Sequence, residues 1–311
     1  MDKLLGSIME KIGPYRPKRV YLQAPEGLKT RIQDMALALE GRGIEVLVGC
    51  EPTYGACDLR DKEAKALGAD LLLHVGHTDF GVKACLPVVY EPYEIAIDPI
   101  PFLEKNLSGL EGYNKISLLT TVQFAKSLGP AKAFLESRGK HVLMARQARN
   151  QQEGLLLGCD WTAALPLQDK VDCFLYMGSG KFHPLGLARK TQKPVLWLDF
   201  ETSQLKDMNK EKLRLEKIKA FHIEQARENQ NFGILVSVKE GQFYLKKALE
   251  LKRELEGREK RVWILVMDEL SPSKIEGMKL DILVNCACPR VDEDFSPFKK
   301  PILNPEDVYR L

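Results

Sequence analysis

No stretch of this 311-residue chain stays apolar for the roughly 18 residues that a membrane-spanning helix needs. Its first eleven residues, Met1 to Lys11, lack the apolar core and small-residue cleavage site of a secretory signal. Both absences predict a cytoplasmic protein with no membrane partner. Concentrated charge of one sign is also missing. The net charge is +3, and Lys and Arg alternate with Asp and Glu along helix-like segments, so no nucleic-acid face is expected. No second Cys or His stands beside Cys57 or Cys159 at the close spacing of a structural zinc site. The seven cysteines are odd in number and dispersed, and in a reducing compartment they read as core residues or ligands rather than disulfides.

What the chain does contain is a repeat. Arg19-Val-Tyr-Leu-Gln-Ala-Pro25, Lys115-Ile-Ser-Leu-Leu-Thr-Thr121 and Phe232-Gly-Ile-Leu-Val-Ser-Val238 are β-rich runs, each followed by helical periodicity. Second strands are expected at Ile44–Gly49, His141–Ala145 and Arg261–Met267. Third strands open on Asp70, Asp172 and Asp281, and fourth strands on Pro87, Pro194 and Pro301, the prolines standing 107 residues apart in both steps. The repeat divides the chain into units 1–105, 106–205 and 206–311. The predicted fold class is α/β: three homologous domains, each a small parallel four-stranded sheet flanked by helices. Leu205 to Asn231 reads as a long helix leading into the third unit.

Ligands of such sheets bind beyond the carboxyl ends of the strands. Cys57 and Cys159 both fall in the loop after a second strand, each 13 residues before its unit's third-strand aspartate. Cys288 follows the third strand of unit three, in Asn285-Cys-Ala-Cys-Pro-Arg290. Buried apolar roles suit Cys50, Cys85 and Cys173. Three thiolates converging from three units would select zinc, copper(I) or an iron-sulfur cluster. A four-iron cluster on three thiolates keeps one iron open to substrate. Cys286 and Cys288 point the same way at an extended strand end, so direction alone does not separate them.

The segments Gln23-Ala-Pro-Glu-Gly-Leu28, Tyr54-Gly-Ala-Cys-Asp58, His74-Val-Gly-His77, Gly178-Ser-Gly-Lys-Phe-His-Pro-Leu-Gly-Leu-Ala188 and Ala287-Cys-Pro-Arg290 resemble the archaeal diphthamide synthase family, subunit 2 type, and the resemblance runs the full length. It implies a pseudo-threefold arrangement around one central 4Fe-4S cluster held at Cys57, Cys159 and Cys288, with the Cys-Pro-Arg match favouring Cys288 over Cys286. It implies a noncanonical radical enzyme in which the cluster cleaves S-adenosylmethionine between sulfur and the methionine γ-carbon. The resulting 3-amino-3-carboxypropyl radical adds to a histidine of translation elongation factor 2, the first step of diphthamide biosynthesis. A homodimer and an external electron donor are implied as well, with no catalytic side chain beyond the cluster.

Candidate S-adenosylmethionine contacts are Gly178, Ser179 and Gly180, whose amides suit a carboxylate or nucleotide, with His183, Gln23 and Arg290. Each has a plainer reading: a tight turn for the glycines, a backbone contact for His183, a helix cap for Gln23, and a surface ion pair with Asp292 or Glu293 for Arg290. Glu26 is expected to face the central site beside Gln23, or to cap. His74 and His77 read as core or solvated residues rather than metal ligands. Two rivals share the plan: a quinolinate synthase-like iron-sulfur dehydratase and a non-catalytic iron-sulfur partner subunit.

Overall fold

The computed structural model describes residues 2–147, 152–292 and 296–311, leaving out the side chains of Asp2, Lys3, Asp292 and Ser296. Three sheets follow one another along the chain. The first contains β1 (Arg19–Gln23), β2 (Glu45–Val48), β3 (Leu71–Val75) and β4 (Val88–Glu91). The second contains β5 (Lys115–Thr120), β6 (His141–Leu143), β7 (Cys173–Gly178), β8 (Val195–Asp199) and β9 (Gln204–Asp207). The third contains β10 (Asn231–Ser237), β11 (Arg261–Met267), β12 (Ile282–Cys286) and β13 (Ile302–Leu303).

Each sheet places its first strand between its second and third, in the orders β2-β1-β3-β4, β6-β5-β7-β8-β9 and β11-β10-β12-β13. The first and third are parallel throughout. The second departs from the expected four strands, because Gln204–Asp207 turns back to pair antiparallel with β8. The long helix therefore starts at Met208 and runs to Glu228, with the Asp207 side chain accepting from the Asn209 amide as its cap.

The repeated residues have a common structural cause. Asp70 Oδ2 accepts from the amides of Lys18 and Arg19, each at 2.8 Å, and Asp172 Oδ2 accepts from those of Asn114 and Lys115. Asp281 Oδ2 accepts from the Asn231 amide at 2.9 Å. In every unit this aspartate ties the start of the third strand to the start of the first. Bonds to those amides hold the Asp70 and Asp172 carboxyls below the usual range. The prolines begin the fourth strands with a carbonyl that accepts from the third strand: Leu72 to Pro87, Phe174 to Pro194 and Leu283 to Pro301, all at 2.9 Å. A residue with no N–H is tolerated there because its other flank is not a central ladder position.

The third strand of each sheet is covered on both faces. β3, β7 and β12 are buried along their whole length. Among the described residues, no helix is long and apolar enough to cross a membrane.

Candidate metal centre

Loops at the carboxyl ends of strands in all three sheets meet at one place. The loop after β2 carries Cys57, the loop after β6 carries Cys159 and the turn after β12 carries Cys288. All three line a single cleft of about 700 Å³. Its walls also come from each unit: Phe80 and Lys83 from the first, Trp161 from the second, Gln242 and Tyr244 from the third.

Cys57 is held across a unit boundary. The Gly241 amide donates to the Cys57 carbonyl at 3.2 Å, and Gln242 Nε2 donates to Cys57 Sγ at 3.4 Å. This approach requires glycine at 241, because a Cβ there would lie 2.5 to 2.6 Å from Cys57 Cβ, Cα and O. Beside it, Lys239 Nζ meets Asp58 Oδ2 at 2.6 Å, and Arg60 pairs with Asp268. Two ion pairs and the Gln242 bond thus tie the Cys57 loop to unit three.

The electrostatics show the thiols acting on one another. Burial pushes Cys57 up. Although Cys159 is exposed to the cleft, the surrounding protein pushes it up to about 12, and Cys57 and Cys288 add to the shift. Burial raises Cys288 to about 11, opposed by the Arg290 amide and reinforced by Cys57. A bound cation would reverse this cost by stabilising the thiolates. Among the described residues, no three His, Cys, Asp or Glu side chains are close enough to hold a single ion. Zinc draws its thiolates to about 2.3 Å; thiols facing one another across a cleft suit a larger inorganic cluster, and the donor set is the soft one such clusters use.

Cys286 is separated from Cys288 by packing. It is 2% exposed and belongs to the unit-three core with Phe232, Val236 and Leu251, whereas Cys288 lines the cleft. Cys173 is buried as expected. Cys50 and Cys85 are exposed instead. Cys50 follows the edge strand β2, where one flank has no neighbour, and Cys85 lies in a loop with its amide donating to Asp61.

The residues singled out for S-adenosylmethionine lie outside the cleft wall itself. Gln23 is 1% exposed and does not cap the following helix; its amide bonds the backbone of Asp58 and Arg60 and the ring of His74. Glu26 points outward to Lys29. Gly178 and Gly180 have positive φ and form a turn before the seven-residue helix Phe182–Ala188. The Gly178 carbonyl accepts from Trp197 Nε1 at 2.8 Å. His183 stacks on Tyr176, with ring centroids 5.9 Å apart. Arg290 places its guanidinium carbon 5.4 Å from the Phe182 ring centroid; the side chains of Asp292 and Glu293 lie outside the described part.

Gln242, Tyr244 and Trp161 also line the cleft, although no sequence motif marks them. Trp161 is two residues from Cys159. Gln242 and Tyr244 occupy the loop after a first strand, which the carboxyl-end rule covers as fully as the loops after second and third strands.

The 2-(3-amino-3-carboxypropyl)histidine synthase of Pyrococcus horikoshii is 34% identical over 306 residues, spanning 97% of this chain and 88% of that protein. The synthase of the same name from Methanocaldococcus jannaschii is 27% identical over 323 residues, spanning 96% and 85%. A crystal structure of Dph2 from Pyrococcus horikoshii with a 4Fe-4S cluster superposes with a TM-score of 0.91 at 34% identity, covering 98% of this chain and 89% of that one. The family model described as "Putative diphthamide synthesis protein" matches residues 24–310, a span that includes every sheet strand except β1 and all three cleft cysteines. With likeness of that extent in sequence and in fold, the chain belongs to the diphthamide synthesis family.

Proposed function

We propose that this protein performs the first step of diphthamide biosynthesis, transferring a 3-amino-3-carboxypropyl group from S-adenosylmethionine to a histidine of translation elongation factor 2. The observation that carries this reading is the convergence of one thiol from each unit on one cleft, in a chain of this family. Cys57, Cys159 and Cys288 would hold a 4Fe-4S cluster and leave one iron without a protein ligand. When bound, the cluster supplies the electron that breaks the bond between the sulfonium and the methionine γ-carbon.

The chain's own residues supply position and shelter. Gln242 and the Gly241 amide fix Cys57 from unit three. Trp161 and Tyr244 give apolar walls, and a cleft of about 700 Å³ falls in the ordinary range for a ligand of this size. Arg290 offers a planar fork suited to the methionine carboxylate. Gly178, Ser179, Gly180 and His183 lie at the carboxyl end of β7, and Gln23 supports the site from behind the Cys57 loop.

Three units divided near residues 105 and 205, a cytoplasmic location, a homodimer and an external electron donor complete the reading. The family match favours it over a quinolinate synthase-like dehydratase. A cysteine in every unit favours it over a non-catalytic partner subunit. The test is a single-turnover assay under anaerobic reduction with S-adenosylmethionine labelled in the aminocarboxypropyl carbons. Label on the elongation factor histidine with release of methylthioadenosine is expected; 5′-deoxyadenosine as the product rejects the proposed bond cleavage.

A further inference from the structure

His77, His183 and Arg290 stand beyond the ends of the third strands β3, β7 and β12, one residue from each unit, and His77 and Arg290 both lie within electrostatic reach of His183. Arg290 sits over Phe182, whose ring meets His183 edge-on at 5.2 Å. Neither His77 Nε2 nor either nitrogen of His183 has a hydrogen-bond partner among the described residues.

His77 is not free to choose its proton. The Gln23 amide has only one orientation, because the Arg60 N–H donates to Oε1 at 2.9 Å and the Asp58 carbonyl accepts from Nε2 at 2.8 Å. Gln23 Nε2 therefore faces His74 Nδ1, 2.9 Å away, as a donor. The proton of neutral His74 is left on Nε2, which lies 2.9 Å from His77 Nδ1. His77 must accept there, so its own proton is on the outer nitrogen, Nε2. Burial keeps His74 neutral well below its ordinary value and His77 neutral down to about 4. An imidazolium at His77 would set two N–H groups against each other.

We propose that the chain Gln23–His74–His77 presents His77 Nε2–H as a fixed neutral donor which, with the Arg290 guanidinium, binds the carboxylate of the aminocarboxypropyl donor. This rests on the function proposed above and names the group that this part of the site recognises. One cation and one neutral N–H match a monoanion without stranding charge in a desolvated place. Neutral His183 forms the wall between them and adds no second cation beside Arg290. Since the chain ends in an amide, which takes up no proton, His77 serves as a positioning donor and not as a general base.

The test compares S-adenosylmethionine with its decarboxylated analogue, titrated into cluster-loaded protein. Wild type is expected to bind the analogue roughly ten- to a hundredfold more weakly, the range for losing a charge-assisted hydrogen bond. His77→Ala is expected to weaken S-adenosylmethionine binding by the same order while leaving iron content and affinity for the analogue unchanged. His77→Gln, which keeps an N–H donor and more of the volume, should recover part of the loss. Equal weakening of both ligands, or none of either, overturns the inference and leaves the proposed function intact. Failure of cluster-loaded wild type to bind S-adenosylmethionine overturns the function itself. Nitrogen NMR of oxidised, cluster-loaded protein gives an independent reading: His77 should be protonated at Nε2 and bare at Nδ1 at neutral pH, and the opposite tautomer overturns the chain.

Discussion

Lys239 Nζ lies 2.6 Å from Asp58 Oδ2, and with side-chain exposures of 4% and 0% the two make a buried ion pair one residue from Cys57. It joins unit three to unit one where the first thiol enters the cleft. Truncating one member leaves the other charged and buried, which costs about 3–5 kcal/mol. Lys239→Ala is therefore expected to lower the denaturant midpoint of the apoprotein by an amount in that range. Lys239→Met combined with Asp58→Asn should cost clearly less. A single substitution as mild as the double one would mean that water already screens the pair.

Gly241 offers a second test of the same boundary. A methyl group at this position meets the Cys57 backbone, which has no rotamer to yield. Gly241→Ala is expected to destabilise by about 1–3 kcal/mol, as overpacking does, and to reduce iron after reconstitution by moving Cys57. Gly257→Ala, at a position with nothing within 4 Å, is the control. Wild-type iron in Gly241→Ala would show that the loop can shift without loss of the site.

His77 makes stability depend on acid in a defined window. Its folded value is about 4 against an ordinary 6.5. Above pH 6.5 the ring is neutral in both states and the stability is fully present. As pH falls toward 4, the unfolded chain takes up a proton that the folded chain refuses, so stability declines by at most about 3 kcal/mol and this contribution then levels off. Unfolding curves of His77→Gln apoprotein between pH 6.5 and 4 should lose that part of the slope. A slope identical to wild type contradicts the neutral buried assignment.

Much of the architecture was legible because the repeat is written in residues with geometric jobs. Asp70, Asp172 and Asp281 tie third strands to first ones, and Pro87, Pro194 and Pro301 open the fourth strands, so their spacing reports topology directly. The antiparallel β9 was not legible. Gln204-Leu-Lys-Asp207 carries charge and adjoins a helical pattern, and only its pairing with β8 makes it a strand. Cys57, Cys159 and Cys288 could be found from loop position. The exclusion of Cys286 could not, since it depends on which face of the β12 end packs against Phe232 and Leu251. Gln23 looked like a ligand contact because it is polar at a strand end; its partners are the Cys57 loop and His74, which tertiary structure alone brings to it.

Iron and acid-labile sulfide, measured in anaerobically purified single cysteine variants, test the central claim most directly. Wild type and Cys286→Ala are expected to carry a full 4Fe-4S complement, as the Pyrococcus Dph2 structure does. Cys57→Ala, Cys159→Ala and Cys288→Ala are each expected to lose most of their iron and cluster absorbance while remaining folded. A full cluster in any one of those three, or its loss in Cys286→Ala alone, would contradict a site built from one thiol of each unit.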